Sequence, residues 1–265
     1  MKFKPSELYD KMTIIVVAKN LAALGYTFVE SFWSSLPLGC RYLVGNFQST
    51  DETMKYYAEL AKYAPIETVD IPWVDAGLTG IGIATQELIK RSPTEYVYNL
   101  QACEVLCEDT PQTIFEFFKS PEMESLIPIM QFRHFFGNCK FEGTLGGHAY
   151  NSAQRLMHRS SDTSQGDGCH PIINARGSAH VNLGMVHRYS YCFRNQVEQK
   201  VRNHARHFGS PIEQQFSSIE WCRQRPNYSG YHPSCVSHII HEENYDTSRS
   251  LKTFTESHEP IYEPI

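Results

Sequence analysis

Short apolar, β-branched runs alternate with amphipathic stretches through the first 120 residues, and few folds accept such an order. "TIIVVA" (13–18) is followed by a mostly apolar helical stretch through Trp33 and Leu36, and "RYLVGN" (41–46) then reads as a second strand. In "STDETMKYYAELAKYA", Ser49 and Glu52 have the S-x-x-E spacing that predicts a capping box at a helix start. "IETVDI" (66–71) is a third strand, and in "GIGIATQELIKR" Ile81, Ala84, Leu88 and Ile89 share one helical face. "EYVYNL" (95–100) is a fourth strand, after which Thr110-Pro111 opens a helix with proline at its first position. Strands that alternate with helices pair in parallel, with helices on both faces of the sheet. The expected fold is therefore α/β, a Rossmann-type, mostly parallel sheet followed by an irregular second half.

Open parallel sheets bind ligands beyond the carboxyl ends of their strands. That directs attention to Lys19-Asn20, to Asn46 through Asp51, and to "QACEVLCED" (101–109), where an apolar run gives way to ligand-type side chains. No G-x-G-x-x-G follows the first strand and no G-x-x-x-x-G-K-[ST] occurs, which argues against dinucleotide and P-loop sites. A net charge of -5 argues against a nucleic-acid partner, whose binding needs a basic excess. No run approaches the roughly 18 apolar residues of a membrane span. With no signal-peptide pattern and eight irregularly spaced cysteines, the expectation is a cytoplasmic protein with reduced thiols. All twelve histidines lie after residue 130, so the two halves carry different chemistry. In the second half "IPIMQFRHFFGNCKFEGTLGGHAY" suggests short strands and turns, "HVNLGMVHRYSYCF" a strand, and "NQVEQKVRNHARHF" a polar helix, whereas residues 211–265 read as a peripheral extension.

Several of these stretches resemble the GT-A-fold, family-2-like glycosyltransferases. "YVYNLQACEVLCED" is similar to that group's "YLQADEVLHED", "STDET" (49–53) to its S-T-D-G-T turn, and "FRHFFGN" (132–138) to "YLHFYGN". "QRLMHR" (154–159) resembles an Arg-rich strand, and "MVHRYSYCFRNQVEQK" (185–200) resembles "IYHYGWVRDPEVMRRK". The likeness runs in order over about the first 210 residues. It implies a GT-A-like domain with a nucleotide-sugar-binding half (1–120) and a half that completes the metal site and takes the acceptor (121–210).

The same resemblance implies transfer of a sugar from a nucleotide-sugar donor to a glycan or other hydroxyl acceptor, with inversion and with Mn²⁺ or Mg²⁺ on the departing diphosphate. Ala18, Asn20, Asp51, Gln86 and Gln101 are then expected to contact the donor. Glu104 and His187 would hold the metal. Cys103 stands where the family places a carboxylate and is the third position of that set, although a thiol suits neither Mn²⁺ nor Mg²⁺. Asp167 in "QGDGCH" is the expected general base, with Glu142 and Asp162 its rivals, and Arg155 and Arg159 are basic side chains suited to a diphosphate. Two other readings compete: a binding module that keeps the nucleotide site without catalysis, and a zinc-dependent hydrolase using Cys103, Cys107 and a histidine.

Overall fold

The fold was analysed in a computed structural model, which describes residues 2–143, 150–164, 179–208 and 211–261. Strand β1 (Met12–Ala18), helix α1 (Phe28–Ser35), β2 (Arg41–Asn46), α2 (Thr53–Leu60), β3 (Ile66–Asp70), α3 (Gly80–Arg91) and β4 (Tyr96–Asn99) realise the expected alternation. A short β5 (Glu104–Leu106) and α4 (Thr110–Lys119) follow. Then come β6 (Leu126–Phe136), β7 (Ser152–Ala153), β8 (Leu156–His158), β9 (Ala179–Tyr191), α5 (Arg194–Phe208), α6 (Ile212–Arg223) and α7 (Thr247–Ser257).

The first sheet has the order β3-β2-β1-β4-β8. β1 to β4 pair in parallel and β8 runs antiparallel at the edge. The period-two rule for strands sorts its side chains cleanly. Met12, Ile14, Val16, Ala18, Tyr42, Val44, Tyr98 and Leu156 face a core shared with Phe28, Val29 and Phe32 of α1 and Tyr57 and Leu60 of α2. Ile15, Leu43, Val97 and Met157 face Ala84, Leu88 and Ile89 of α3 on the other side. Ile81, in the first turn of α3, departs from that face and is 40% exposed. The chain builds outward from β1 to β3 and then returns to place β4 on the other flank of β1, so the strand order reverses between β1 and β4.

The second half is more regular than its composition suggests. β6 and β9, of 11 and 13 residues, pair in parallel at the centre of a second sheet of order β5-β9-β6-β7. Leu106, Met130, Phe132 and Val186 extend the main core, while Val105, Phe135 and Tyr189 face the opposite way. Residues after 210 are not peripheral. Cys235, Val236, Ile239 and Tyr245 close that opposite face, and Phe254 of α7 is fully buried in the main core against Phe32 and Tyr63. The Tyr245 hydroxyl also donates to the buried Glu30 carboxylate at 2.8 Å. This segment is short on apolar periodicity because its anchors are single residues between polar turns, and that hid it from pattern reading. Among the described residues no helix is long and apolar enough to cross a membrane.

Candidate functional site

Beyond the carboxyl ends of β1 and β2, two loops are locked to each other. Asn20 N–H donates to Ser49 Oγ (3.2 Å), Thr50 N–H to Asn20 Oδ1 (2.7 Å), and Ala23 N–H to Asp51 Oδ2 (2.7 Å). The fully buried Ala18 offers its carbonyl to Phe47 N–H (2.9 Å), and Lys19 Nζ donates to the Phe47 carbonyl while sitting 4.8 Å from the Trp73 ring centre. Ser49 therefore joins the loops instead of forming the expected capping box; Asp51 Oδ1 accepts from Thr53 N–H at the start of α2 in its place. The Asp51 carboxylate and the Asn20 side-chain oxygen Oδ1 are spent on this lock.

Among the described residues only Asn20 (φ 52°) and Gln48 (φ 59°) are non-glycine residues in the left-handed region, and they sit on these two loops. Strain of that kind persists only where surrounding contacts over-determine it. Asn20→Val, which puts a branched side chain at positive φ and removes the acceptor for Thr50, is expected to cost about 2–3 kcal/mol. Asn20→Gly should cost less than half of that; urea unfolding of the three proteins checks the order.

A second group of the expected residues begins where β4 ends. The strand stops at Asn99, a turn closed by Glu104 N–H to the Gln101 carbonyl (2.9 Å) follows, and β5 starts at Glu104. β5 lies antiparallel to β9 with Glu104 opposite Arg188 and Val105 opposite His187. Glu104 and Arg188 thus share one face of the second sheet, and His187 is on the other. Glu104 is fully buried and takes two hydrogen bonds from the equally buried Arg155, Nε to Oε2 at 3.0 Å and NH2 to Oε1 at 2.7 Å. Tyr150 Oη is 3.4 Å from Glu104 Oε1 and accepts from Arg155 at 2.6 Å. Arg188 donates to Gln101 Oε1 (3.0 Å), to Tyr150 Oη (2.9 Å) and more weakly to Cys103 Sγ (3.5 Å), which also receives Ser190 Oγ–H at 3.1 Å.

His187 belongs to a different cluster. It is buried beside Phe135 and Tyr228, and Tyr189 Oη lies 3.3 Å from its Nδ1 and 2.9 Å from His232 Nδ1. Glu142 is on this side too, 3.4 Å from Arg133, whose guanidinium covers the Tyr228 ring. Gln86, on α3, accepts from Thr163 N–H at 2.7 Å and ties down the segment after β8. Asp167 lies outside the described residues. Of the expected site, then, Ala18, Asn20 and Asp51 lie on or beside the two interlocked loops, Gln101, Cys103 and Glu104 lie in or just after the turn that follows β4, and His187, Glu142 and Gln86 belong to other surroundings.

Burial, with His232 and Arg133 adding to it, pushes the His187 imidazole down to about 3; burial and then Arg188 push His134 down to about 4. Both are depressed below the ordinary value of about 6.5. The unfolded chain binds these two protons more readily, so the stability they contribute is present above about pH 6.5 and is lost as pH falls toward about 3–4. Urea midpoints measured between pH 7 and pH 4.5 should fall with pH, and His187→Phe should flatten the decline. A midpoint that holds steady across that range in the parent chain would contradict the buried, neutral imidazoles.

A hard divalent cation does not fit these residues. Both Glu104 oxygens are committed to Arg155, His187 faces away, and the Cys103 thiol is a soft donor held by Arg188 and Ser190. A dication about 5 Å from the Arg188 guanidinium would meet a repulsion of about 7 kcal/mol at an effective dielectric of about 20. The zinc arrangement is not assembled either. Among the described residues no three histidine, cysteine or acidic side chains converge, and burial with Asp109 and Glu108 pushes the Cys107 thiol up to about 12, far from thiolate.

With this geometry in view, the chain was compared with known proteins. No family model matches it, and no curated protein matches it. Solved structures of similar course include S. aureus TarS 1–349 in complex with UDP, at 14% identity and TM-score 0.38, covering 53% of this chain and 38% of that one. S. aureus TarS 1–349 aligns at 13% identity and TM-score 0.47 over 77% of this chain and 68% of that one. Glucosyl-3-phosphoglycerate synthase from Mycobacterium tuberculosis, in complex with Mn²⁺, UDP and phosphoglyceric acid, aligns at 15% identity and TM-score 0.42 over 83% and 81%. This chain spans little more than a third of the two TarS complexes, with UDP and with UDP-GlcNAc: 38% and 36%.

Sequence reading missed Arg188 and misplaced Arg155. Arg155, read as suited to a diphosphate, is the fully buried partner of Glu104. The signal for Arg188 was in "MVHRYSY": one charged residue inside an apolar-aromatic strand must end at a built polar site.

Proposed function

We propose that this chain transfers a sugar from a nucleotide-sugar donor to an acceptor hydroxyl, with inversion at the sugar carbon. The observation that supports the reading most is the rigid pair of loops after β1 and β2, strained at Asn20 and Gln48, at the point where the strand order reverses. Ligands of open α/β sheets bind at such reversals, and the motif likeness of the first 210 residues supplies the reaction class. In this reading the base lies against Ala18, Asn20 and the loop ending in Asp51, and the diphosphate lies toward Gln101. The acceptor oxygen attacks the sugar carbon as its bond to the diphosphate oxygen breaks. The hydroxyl proton passes to a carboxylate, assigned to Asp167, which follows β8 in the sequence. Rigid loops lower the entropic cost of positioning the donor, which is where a transferase gains most.

A panel of UDP-, GDP-, ADP- and TDP-sugars tests the reading by thermal shift and by release of the nucleoside diphosphate. One donor should raise the melting temperature and be cleaved, and Asp167→Asn should slow cleavage on the order of 10²-fold or more while the shift remains. Shift without cleavage under any acceptor mixture would favour the non-catalytic binding module. No shift with any donor would sink the proposal.

A further inference from the structure

Helix α6 packs one side on the core: Ile219 and Cys222 join Phe136, Phe141 and Val201. Its outward side carries Trp221, which is 50% exposed. The indole is held in place, with the Phe141 ring edge-on at 5.8 Å and the Arg225 guanidinium 4.5 Å from its ring centre. Gln224 and Arg225 continue the last turn of the helix, Arg225 N–H donating to the Cys222 carbonyl at 3.1 Å. Phe216, Ser217, Glu220, Gln224 and Arg225 line the same face with Trp221, around a shallow groove of about 550 Å³. A surface helix ordinarily keeps that side polar. A fixed, exposed tryptophan ringed by polar groups is the composition of a protein interface.

We propose that this face joins two copies of the chain across a two-fold axis, with the two α6 helices antiparallel. A two-fold contact uses one patch twice, so the patch must complement itself, and this one does. With the axis between Glu220 and Trp221, all six groove residues pair off. Glu220 meets the partner's Trp221, whose indole N–H donates to the carboxylate. Ser217 meets the partner's Gln224, a hydrogen-bonding pair, and Phe216 meets the partner's Arg225, a cation against a ring. The charges agree as well. Each Arg225 falls opposite Phe216 of the other copy, between the exposed Glu213 and Glu220 that lie about one turn to either side of it. The two Glu220 carboxylates approach the axis, but each has Arg223 of its own helix at 3.7 Å in addition to that arginine. A helix of 12 residues is about 18 Å long, too short to bury the roughly 1,600 Å² of a standard interface, so the dimer should be weak, dissociating on the order of 10 µM.

Sedimentation equilibrium of the full chain, over a concentration series that brackets that value, tests the proposal. The chain should pass from monomer to dimer, and Trp221→Ala should weaken the dimer by about tenfold or more. Arg225→Glu sets three acids against one another across the axis and should leave a monomer. Glu213→Arg combined with Glu220→Arg should do the same by facing Arg225 with like charge. Mixed in equal amounts, these two monomeric variants should form a heterodimer within about threefold of the parent affinity, because every opposed charge is again attractive. That rescue also shows that both variants are folded. A parent chain that stays monomeric throughout the series, leaving the face to some other partner, would overturn the proposal. So would a dimer that neither Trp221→Ala nor Arg225→Glu weakens, or a mixture of the charge variants that stays monomeric.

Discussion

Replacing Glu104 with alanine is expected to cost about 3–5 kcal/mol of folding stability, the penalty for leaving a buried charge without its partner. The residue looks like a ligand in the sequence, yet it is 0% exposed and both its oxygens are held by Arg155, also 0% exposed. Removing the carboxylate leaves Arg155 with no way to reach water, and it takes from Arg188 an anion 4.0 Å away. On a chain of this size the loss corresponds to a fall in melting temperature on the order of 10 °C. Arg155→Met should cost a similar amount, because a bare carboxylate at 0% exposure is no better tolerated. The double replacement Glu104→Leu with Arg155→Met should recover most of the loss, since a buried pair is close to neutral against apolar residues of similar volume. Denaturation of Glu104→Leu, Arg155→Met and their double variant forms a double-mutant cycle with a coupling of several kcal/mol. Losses under about 0.5 kcal/mol for Glu104→Ala, typical of surface positions, would mean that the pair is not buried as described.

Phe254→Ala is the second large effect. Phe254 is fully buried, meets Phe32, Trp33 and Tyr63 edge-on and stacks on His258 at 4.3 Å between ring centres. Truncating a buried phenylalanine typically costs 3–5 kcal/mol, from lost transfer energy and the cavity left behind. The point of the experiment is the location. A residue in the last dozen described positions is expected to matter as much as one in β1, because α7 packs against α1 beneath the parallel sheet. For the same reason a chain cut after residue 210 should not fold cooperatively: it loses Phe254, the Tyr245–Glu30 hydrogen bond and the apolar lid of Cys235, Val236 and Ile239 at once. A Phe254→Ala variant as stable as the parent would show that the segment rests on the surface after all.

These two results also mark how much could be read from residues in order. β1 to β4 and their helices were legible because their information is local. A strand buried on both faces must be an apolar run, and a helix covering it must repeat near 3.6 residues. Tyr96 to Asp109 was legible as a strand that ends in polar residues, and the backbone does end β4 at Asn99 and turn through Gln101. The side chains there were not legible. Whether Glu104 meets His187 or Arg188 depends on the register of β5 against β9, and a shift of one residue exchanges the two. Nothing within either segment states that register. Arg155 reaches Glu104 from 51 positions away, a pairing that local pattern does not encode. β9 was legible in "HVNLGMVHRYSYCF", but β6 escaped notice as one long strand because its pairing is interrupted by register shifts near Met130 and Phe135, which break the simple alternation.

The site proposed beyond β1, β2 and β4 makes one prediction about place that needs no knowledge of sugar or acceptor. Hydrogen–deuterium exchange with and without the nucleoside diphosphate that binds should show slowed exchange in residues 18–23, 46–53 and 101–104, with 186–190 following. Slowed exchange instead at the opposite ends of the strands, around the cleft lined by Tyr9, Arg41, Pro65, Glu67 and Pro93, would contradict the account.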